Sequence, residues 1–435
     1  MSKINIGIIG FGTVGAGTCE LLMKNKKIIK SRVGTEITVK RIADLDTESD
    51  RGVKVNHNLF TVNAMDVIND PEIDIVIELI GGIEKASEYI IKAMKKGKHV
   101  VTANKALLAE RGREIFETAE RCGVGLGFEA SVAGGIPIIR ALRHGLCGNH
   151  IENIIGILNG TSNYILTKMS QDGLPYTKVV QEAVKLGFAE DPPTLDVDGT
   201  DAAHKLAILV SIILGSSISF DHIYREGITS LTPDDIRFAG EFGYGVKLLA
   251  IARISGDHVE ARVHPAMIPK DHILANVNDA FNAIYLEGDF VGPNLYYGLG
   301  AGRRPTSSSV VSDIMDLARL IKVGQQGLLM PPLGHATSSG KSFSLQPMED
   351  LNSPYYFRFS ALDAPSVLSK IAGILGKHKI SISSVIQKGR KVNGSVPIVM
   401  LTHDAKESSV KKAISLIDEL DVLTDKTIMI RVENG

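Results

Sequence analysis

Near its start the chain runs Ile4-Asn-Ile-Gly-Ile-Ile-Gly10-Phe-Gly12-Thr-Val-Gly15, and this segment specifies the fold of the first third. The apolar run from Ile4 to Ile9 is typical of a strand buried in a parallel sheet. The pattern GxGxxG follows at once and leads into a predicted helix from Ala16 to about Lys30. Such glycines let the backbone approach a pyrophosphate and let the helix pack closely on the strand. The pattern predicts dinucleotide contacts at Gly10, Phe11, Gly12, Thr13, Val14 and Gly15.

Strand and helix patterns alternate after this segment. Strands are predicted over Ile37–Ala43, Ile73–Leu79 and His99–Thr102, with a helix over Ala86–Lys96. This alternation predicts an α/β domain with a doubly wound parallel sheet, of the Rossmann type, over residues 1–135. Ligands bind at the carboxyl ends of the strands in such sheets. Further cofactor contacts are therefore predicted at Gly81, Thr102 and Lys105.

The sequence leaves the choice between NAD and NADP open. Asp44 closes the second predicted strand, where a carboxylate can accept hydrogen bonds from the ribose hydroxyls of NAD. Lys40 and Arg41 stand close by and can meet the 2′-phosphate of NADP. Because strand side chains alternate between faces, Arg41 is predicted to point away from Asp44. The alternative for all three is an ordinary surface charge.

A second informative segment is Asp198-Gly-Thr-Asp-Ala-Ala-His-Lys205, which opens an otherwise apolar helix. Asp201 and Lys205 lie four positions apart and so share one helical face. The apolar continuation Leu206–Leu214 predicts burial on all sides. A buried lysine held against a carboxylate is a candidate proton donor. The alternative is a pair that only stabilises the helix, and His204 is expected to pack or lie at the surface.

The composition narrows the class of protein. Lys plus Arg number 48 and Asp plus Glu number 49 in 435 residues, which favours a small-molecule partner over nucleic acid or a membrane surface. The cysteines, Cys19, Cys122 and Cys147, lack metal-ligand spacing and are expected to be reduced thiols of a cytoplasmic protein. We also expect no signal peptide and no membrane anchor.

Five motifs in order identify a resemblance that covers the chain from about Lys3 to its end. They are Thr102-Ala-Asn-Lys105, Glu129-Ala-Ser-Val-Ala-Gly-Gly-Ile-Pro137, Asn159-Gly-Thr-Ser-Asn-Tyr164, Gly187 to Lys205, and Gly298-Leu-Gly-Ala-Gly-Arg-Arg-Pro-Thr306. Together they resemble homoserine dehydrogenases that carry a C-terminal ACT domain. The resemblance implies NAD(P)H-dependent reduction of L-aspartate 4-semialdehyde to L-homoserine, a step toward threonine, isoleucine and methionine.

The resemblance also implies roles for individual residues. Lys205 would donate the proton, Asp201 would orient the reacting group, and Lys105 would stand where nicotinamide and substrate meet. Glu190 would bind the amino group of the substrate. Beside the resemblance, Asn159 and Thr161 follow a predicted strand and either line the substrate cleft or make a turn, and Asp196 is a further candidate substrate contact, with a capping or solvated role as the alternative. Sodium would be held by main-chain oxygens of Glu129, Val132, Gly134 and Ile136. Gly302 would contact the cofactor or merely make a tight turn.

One departure concerns the loop beside Glu190. Many relatives read Ala-Glu-Ala-Asp-Pro where this chain has Ala-Glu-Asp-Pro-Pro, so the following carboxylate moves one residue earlier, to Asp191. Glu190 keeps its spacing from Lys205. We therefore expect the loop shape to differ while the substrate-binding role of Glu190 is retained.

The remaining patterns predict two more domains. Predicted strands Val246–Ile254, His258–Met267, Phe281–Glu287 and Phe290–Tyr297, with a turn at Gly288-Asp289, build an α+β substrate and dimerisation domain over 136–300. A helix over Thr306–Lys322 returns to complete the dinucleotide domain within 300–325.

The tail forms the third predicted domain. After a linker at 331–350, rich in proline, glycine and serine, residues 351–435 show the order βαββαβ of a ferredoxin-like fold and resemble an ACT domain. Threonine is the expected effector. In the turn where many ACT domains have Pro-Gly, this chain has Pro365-Ser366. The alternative to effector binding is that the domain only forms oligomer contacts. The resemblance implies a homodimer or homotetramer without a fused aspartate kinase.

Two other functions are compatible with parts of the sequence. Aspartate-semialdehyde dehydrogenase would need a cysteine nucleophile, and no cysteine stands in an acyl-transfer context. A catalytically silent nucleotide and amino-acid sensor is the other alternative, against which the intact Asp201, Lys205, Glu190 and Lys105 argue.

Overall fold

The computed structural model describes residues 3–189, 191–324, 329–336, 343–388 and 394–434. Glu190, one of the predicted substrate contacts, lies outside them. The chain divides into two compact units. The first unit takes residues 1–160, 201–223 and 281–342, and the second unit takes 161–200, 224–280 and 343–435.

The strands of the described residues have the following bounds in chain order: β1 (Ile4–Ile9), β2 (Ile37–Ala43), β3 (Phe60–Thr61), β4 (Ile75–Glu78), β5 (His99–Thr102), β6 (Leu126–Gly127), β7 (Ile151–Ile157), β8 (Tyr224–Arg225), β9 (Tyr244–Ser255), β10 (His258–Pro269), β11 (Phe281–Gly288), β12 (Gly292–Leu299), β13 (Ser344–Leu345), β14 (Asn352–Ser353), β15 (Tyr355–Leu362), β16 (Ile382–Gln387), β17 (Ser395–Thr402), β18 (Ala405–Lys406) and β19 (Ile428–Val432).

The helices are α1 (Thr13–Lys24), α2 (Lys26–Val33), α3 (Ala64–Ile68), α4 (Glu84–Lys95), α5 (Lys105–Cys122), α6 (Ile138–Arg140), α7 (Gly160–Asp172), α8 (Tyr176–Lys185), α9 (Thr194–Val197), α10 (Thr200–Leu214), α11 (Pro233–Glu241), α12 (Arg303–Val323), α13 (Val367–Lys377) and α14 (Glu407–Asp418). A π-helical turn, Ala141–Gly145, follows α6. None of the described helices is both long and apolar enough to cross a membrane.

A six-stranded parallel sheet with the order β3-β2-β1-β4-β5-β6 organises the first unit. Its central strand β1 is apolar and nearly fully buried, which confirms the predicted Rossmann-like α/β fold. The helix that follows begins at Thr13, three residues earlier than predicted. It also breaks at Asn25, whose φ of −102° and ψ of 17° separate α1 from α2.

The first unit also contains three antiparallel strands, which pair in the order β12-β11-β7. The hairpin predicted at Gly288-Asp289 is present, but its turn is three residues long and ends two residues later than predicted. The turn takes Asp289–Val291, with Phe290 90% exposed at its tip. Asp289 Oδ1 accepts hydrogen bonds from the N–H groups of His150 and Phe290, and Gly292 takes a φ of +65°, so a three-residue turn is favoured.

Helix α10 carries the predicted Asp201–Lys205 pair and is buried at every position except Thr200 and Ile213. The expectation of burial on all sides is therefore confirmed. Its apolar side chains leave no solvated face, and the charged groups near its N-terminus must find partners inside the protein.

A mixed sheet organises the second unit. Strands β9 and β10 are antiparallel, β19 lies parallel to β10, and β15, β17 and β16 continue antiparallel from β19. Helices α13 and α14 cover an apolar core that includes Phe357, Phe359 and Ile371. The predicted element order of the tail, strand-helix-strand-strand-helix-strand, is present in β15, α13, β16, β17, α14 and β19.

The stretch predicted as a linker contains regular structure where it is described. Strand β13 pairs with β10. A 3-10 turn, Met348–Asp350, follows it. Residues 337–342 lie outside the described part of the chain.

Candidate active site

Two lysines of the first unit converge on one carboxylate. Lys205 Nζ donates hydrogen bonds to Asp201 Oδ2 at 2.7 Å and to the main-chain oxygen of Leu158, at the end of β7, at 2.6 Å. Lys105 Nζ, at the start of α5, lies 3.3 Å from the other carboxylate oxygen of Asp201. Asn159 Nδ2 donates to Asp201 Oδ2 at 2.9 Å. The tertiary structure thus brings together three residues predicted as catalytic and one predicted to bind substrate.

The charge of this cluster is unbalanced. Burial alone would raise the pKa of Asp201, but the ammonium groups of Lys205 and Lys105, together with its hydrogen bonds, lower that pKa to about 2. The carboxylate is therefore ionised at neutral pH and faces two cations. Lys205 is only 8% exposed, whereas the side chain of Lys105 is 42% exposed.

This arrangement suits the stabilisation of a negative oxygen. Two of the three N–H groups of Lys205 are engaged by Asp201 and Leu158 within the described residues, which fixes the ammonium in space. An ammonium held in a poorly solvated site interacts strongly with charge that develops on a substrate and can deliver a proton to it. The excess of positive charge favours an anionic group beside the lysines.

The glycine turn after β1 is shaped for close approach of a ligand. A Cβ on Gly15 would lie 2.2 Å from the main-chain oxygen of Gly10, so a larger residue there would collide with the turn. A Cβ on Gly12 would meet nothing within 4 Å, which leaves open space above the helix N-terminus. Free N–H groups at such a terminus are suited to a pyrophosphate. The remaining predicted contacts of the turn, Phe11, Thr13 and Val14, belong to this same segment.

The second strand supplies the groups that were expected to distinguish NAD from NADP. The Phe11 N–H and the Asp46 N–H both donate to the Asp44 carboxylate, which therefore supports the glycine turn itself. Lys40 is paired with Asp70 and Glu72. Arg41 Nε lies 4.0 Å from Asp70 Oδ2, and its side chain remains partly exposed.

Glu78 and Asn104 are positioning residues that the sequence analysis did not single out. Glu78 Oε1 accepts from the N–H groups of Ile80 and Gly81, and its Oε2 accepts from Thr102 Oγ1 at 2.7 Å. Burial raises the pKa of Glu78. These bonds join the carboxyl ends of β4 and β5, so the predicted cofactor contacts at Gly81 and Thr102 form one hydrogen-bonded assembly. Two polar residues at the ends of neighbouring parallel strands were the available signal.

Asn104 continues this assembly to Lys105. Its Nδ2 donates to the Gly82 oxygen at 2.6 Å, and its Oδ1 accepts from the Leu107 N–H and so caps α5. Because Lys105 is the first residue of α5, this cap fixes the point from which its side chain leaves the backbone.

The predicted sodium ligands lie in a buried, irregular segment. Ala133 and Gly134 take consecutive positive φ values of 52° and 51°, which turns their carbonyls away from regular structure. The oxygens of Gly134 and Ile136 each accept one hydrogen bond, and a carbonyl has a second lone pair. The Glu129 carboxylate accepts from the N–H groups of Ile139 and Arg140. No cluster of His, Cys, Asp or Glu that could hold a metal occurs in the described residues, but main-chain oxygens are suited to a hard cation.

The other predicted substrate residues belong to the second unit. Thr161 Oγ1 donates to the Phe188 oxygen at 2.6 Å, and the Asp196 oxygen accepts from Ser162 Oγ at 2.6 Å. Asn163 Nδ2 donates to the oxygens of Val277 and Asp279. These bonds show that the Asn159–Tyr164 motif also has a structural role in the second unit.

Gly302 takes a φ of +114° directly before α12. This backbone conformation disfavours any residue with a Cβ. Gly302 lies in a bend at the start of this helix, and the predicted cofactor contact stays a prediction.

Comparison with known proteins identifies relatives along the whole chain. Residues 137–315 match the family described as homoserine dehydrogenase, and residues 10–129 match its NAD-binding domain. Homoserine dehydrogenases of Neisseria gonorrhoeae and Pseudomonas aeruginosa are 43% and 44% identical, and each alignment covers 100% of this chain and 99% of the relative. The solved structure of a homoserine dehydrogenase from Thiobacillus denitrificans is 46% identical, with a TM-score of 0.93 over 100% of this chain and 99% of that one.

Proposed function

The chain belongs to the homoserine dehydrogenase family of oxidoreductases, and from this premise we propose that Lys205, Asp201 and Lys105 form its catalytic centre. The reaction of the family is the reversible NAD(P)H-dependent reduction of L-aspartate 4-semialdehyde to L-homoserine. The observation that carries the proposal is the buried ammonium of Lys205, held between Asp201 and the Leu158 oxygen.

The chemistry follows from the charges. The nicotinamide cofactor, when bound, supplies the hydride that forms the new C–H bond at the aldehyde carbon. The electron pair of the C=O π bond then moves to oxygen, and Lys205 stabilises that alkoxide and transfers one N–H proton to it. Asp201 holds the Lys205 ammonium in place by a hydrogen bond and partly compensates its positive charge. In the reverse direction neutral Lys205 removes the hydroxyl proton.

Lys105 has a different part in the proposal. Its side chain is far more exposed than that of Lys205, yet it contacts the same carboxylate. We assign it to the meeting point of cofactor and substrate, where it adds positive charge beside the reacting oxygen. Asn159 would hold Asp201 and border the substrate, and Glu190, Thr161 and Asp196 would complete substrate binding.

The cofactor proposal rests on the glycine turn and the two strand ends beside it. Gly10 to Gly15, Gly81, Thr102 and Gly302 would line the dinucleotide site. Asp44, whose carboxylate accepts two main-chain N–H groups and keeps further acceptor capacity, and the partly exposed Arg41 would meet the adenosine ribose or its phosphate, so both NAD and NADP stay open. A sodium ion on the main-chain oxygens of Glu129, Val132, Gly134 and Ile136 would hold the irregular segment in shape.

We further propose that the tail is an ACT domain that senses an amino acid, with threonine as the effector. Its sheet order, β19-β15-β17-β16 with α13 and α14, is that of a ferredoxin-like fold. Ser366 takes a φ of +70°, the conformation that glycine would provide in the Pro-Gly turn of many ACT domains. We propose that the protein forms a homodimer or homotetramer. Its reaction would supply the synthesis of threonine, methionine and isoleucine.

One assay tests these points together. Initial rates of NADPH and NADH oxidation are measured with L-aspartate 4-semialdehyde, with and without threonine and with sodium or lithium salts. We expect turnover with at least one cofactor, inhibition by threonine, and faster turnover with sodium. Binding of cofactor and threonine without turnover would instead support the silent sensor. Unchanged turnover of Lys205→Ala would contradict the catalytic role of Lys205.

A further inference from the structure

The main-chain oxygen of Leu158 accepts two side-chain hydrogen bonds. One comes from Lys205 Nζ at 2.6 Å, and the other comes from Asn282 Nδ2 at 2.9 Å. Asn282 lies on β11, which is paired with β7, the strand that ends just before Leu158. The amide of Asn282 and the ammonium of Lys205 therefore share one acceptor.

Asn282 is not explained by stability alone. It is 0% exposed, and its Oδ1 is buried without a hydrogen-bond partner in the described residues. An unsatisfied buried oxygen lowers stability, and an apolar side chain of the same shape would avoid that loss. Buried polar groups of this kind call for an explanation, and the shared Leu158 oxygen provides one.

The amide is also clamped from its other side. A Cβ on Gly300 would lie 2.1 Å from both Cγ and Nδ2 of Asn282, so the glycine backbone packs directly on the amide plane. Gly300 belongs to the glycine-rich segment that leads to Gly302, a proposed cofactor contact. Asn282 therefore connects this segment with the acceptor that holds Lys205.

We propose that Asn282 is a positioning residue for Lys205. Its N–H holds the Leu158 oxygen at the orientation that, together with Asp201, fixes the ammonium for proton transfer. Loss of this bond leaves the carbonyl free to turn, so the ammonium is misplaced and the chemical step slows, while substrate and cofactor binding change little. The inference rests on the proposed role of Lys205.

The test compares Asn282→Leu with a matched control, Asn153→Leu. Asn153 lies on β7, is 9% exposed, and also has a buried Oδ1 without a partner in the described residues. We expect Asn282→Leu to lower kcat by about 10-fold to 100-fold with KM values within about threefold of wild type. The primary isotope effect on kcat with C4-deuterated NADPH or NADH should rise, because the chemical step becomes limiting. Asn153→Leu should keep kcat within about twofold.

Asn282→Asp serves as the second variant if the leucine variant does not fold. It preserves the shape but replaces the N–H donor by an acceptor, so the same fall in kcat is expected. A folded Asn282 variant with kcat within twofold of wild type, or with a lower kcat and an unchanged isotope effect, overturns the proposal.

Lys205→Met is measured in parallel to separate the two proposals. If Lys205→Met is inactive while Asn282→Leu is fully active, only the positioning role is wrong. If Lys205→Met retains wild-type turnover, the catalytic role of Lys205 is wrong and the inference on Asn282 is overturned with it.

Discussion

The two units each bury a cluster of charges, and the clusters differ in how those charges are balanced. In the first unit Lys205 and Lys105 share the single carboxylate of Asp201. In the second unit Arg431 is bound by two carboxylates, with Glu407 Oε1 at 2.6 Å and Glu226 Oε2 at 2.7 Å. Lys411 Nζ also lies 3.6 Å from Glu407 Oε1, so the second cluster holds two cations and two carboxylates, whereas the first holds two cations and one carboxylate.

In the second cluster, all three nitrogens of the Arg431 guanidinium donate hydrogen bonds to carboxylate oxygens. Arg431 Nε and one terminal nitrogen form a two-pronged contact with Glu407, and the other terminal nitrogen binds Glu226. Both Arg431 and Glu407 are fully buried, whereas Lys105 in the first cluster is half exposed. Buried charge alone is therefore a poor sign of catalysis. A net charge that the cluster itself leaves uncompensated is the better sign.

The largest expected effect is on turnover. Lys205→Met should lower kcat by about 1000-fold, because the proton donor and the charge that stabilises the alkoxide are both lost. Initial rates measure this. The control is Lys98→Met, which removes another buried lysine, one that binds the oxygens of Asp70 and Ile73. A kcat for Lys205→Met within tenfold of wild type would remove the distinction between the clusters.

The next effect is on stability. Arg431→Met should lower the free energy of unfolding by about 3–5 kcal/mol, because the fully buried Glu407 carboxylate loses its two-pronged partner and retains Lys411 as a cation at the longer distance of 3.6 Å. Urea unfolding measures the loss, and kcat of the folded variant should stay within a few fold. Arg237→Met, at an exposed pair with Asp234, should change stability by less than about 0.5 kcal/mol. A large fall in kcat without loss of stability would show that the second cluster acts on catalysis.

Acid should weaken both clusters in the same direction. The pKa of Asp201 is lowered to about 2, and the pKa of Glu407 is also lowered, against burial, by Arg431. Each carboxylate therefore stabilises the fold above its unfolded pKa of about 4 and loses that contribution as pH falls toward the folded pKa. For Asp201 this contribution is on the order of 2 kcal/mol. In urea unfolding, the deficits of Asp201→Asn and Glu407→Gln should be constant from pH 7 to 5 and shrink below pH 4; deficits that grow on acidification would refute the assignment.

The smallest effects concern one glycine in each unit. Gly300→Ala should destabilise by about 1–3 kcal/mol, because its Cβ would overlap the amide of Asn282. Gly373 lies inside α13 with open space around it, so Gly373→Ala should stabilise by about 0.4–1 kcal/mol. Thermal unfolding measures both. Equal effects at the two positions would mean that the packing around Asn282 is looser than the structure indicates.

Much of the first unit was predictable because its signals are local. The β-branched run and glycine turn of β1 and α1 follow from strand burial and backbone sterics. The break at Asn25 and the length of the turn that begins at Asp289 were mispredicted, since both depend on hydrogen bonds and backbone angles that periodicity does not encode. Glu78 and Asn104 were overlooked because their roles arise from strands that are adjacent in the sheet but more than twenty residues apart in the chain.

The sequence by itself determined the glycine turn after β1 and the shared helical face of Asp201 and Lys205, because both depend only on spacing within one strand or helix. Tertiary structure alone decided that Lys105 reaches the same carboxylate, that Leu158 accepts from both Lys205 and Asn282, and that β19 of the tail pairs with β10. Those contacts join residues dozens to well over a hundred positions apart. Which residues pair is determined by packing and by the need of buried polar groups for hydrogen bonds, and local sequence patterns do not encode it.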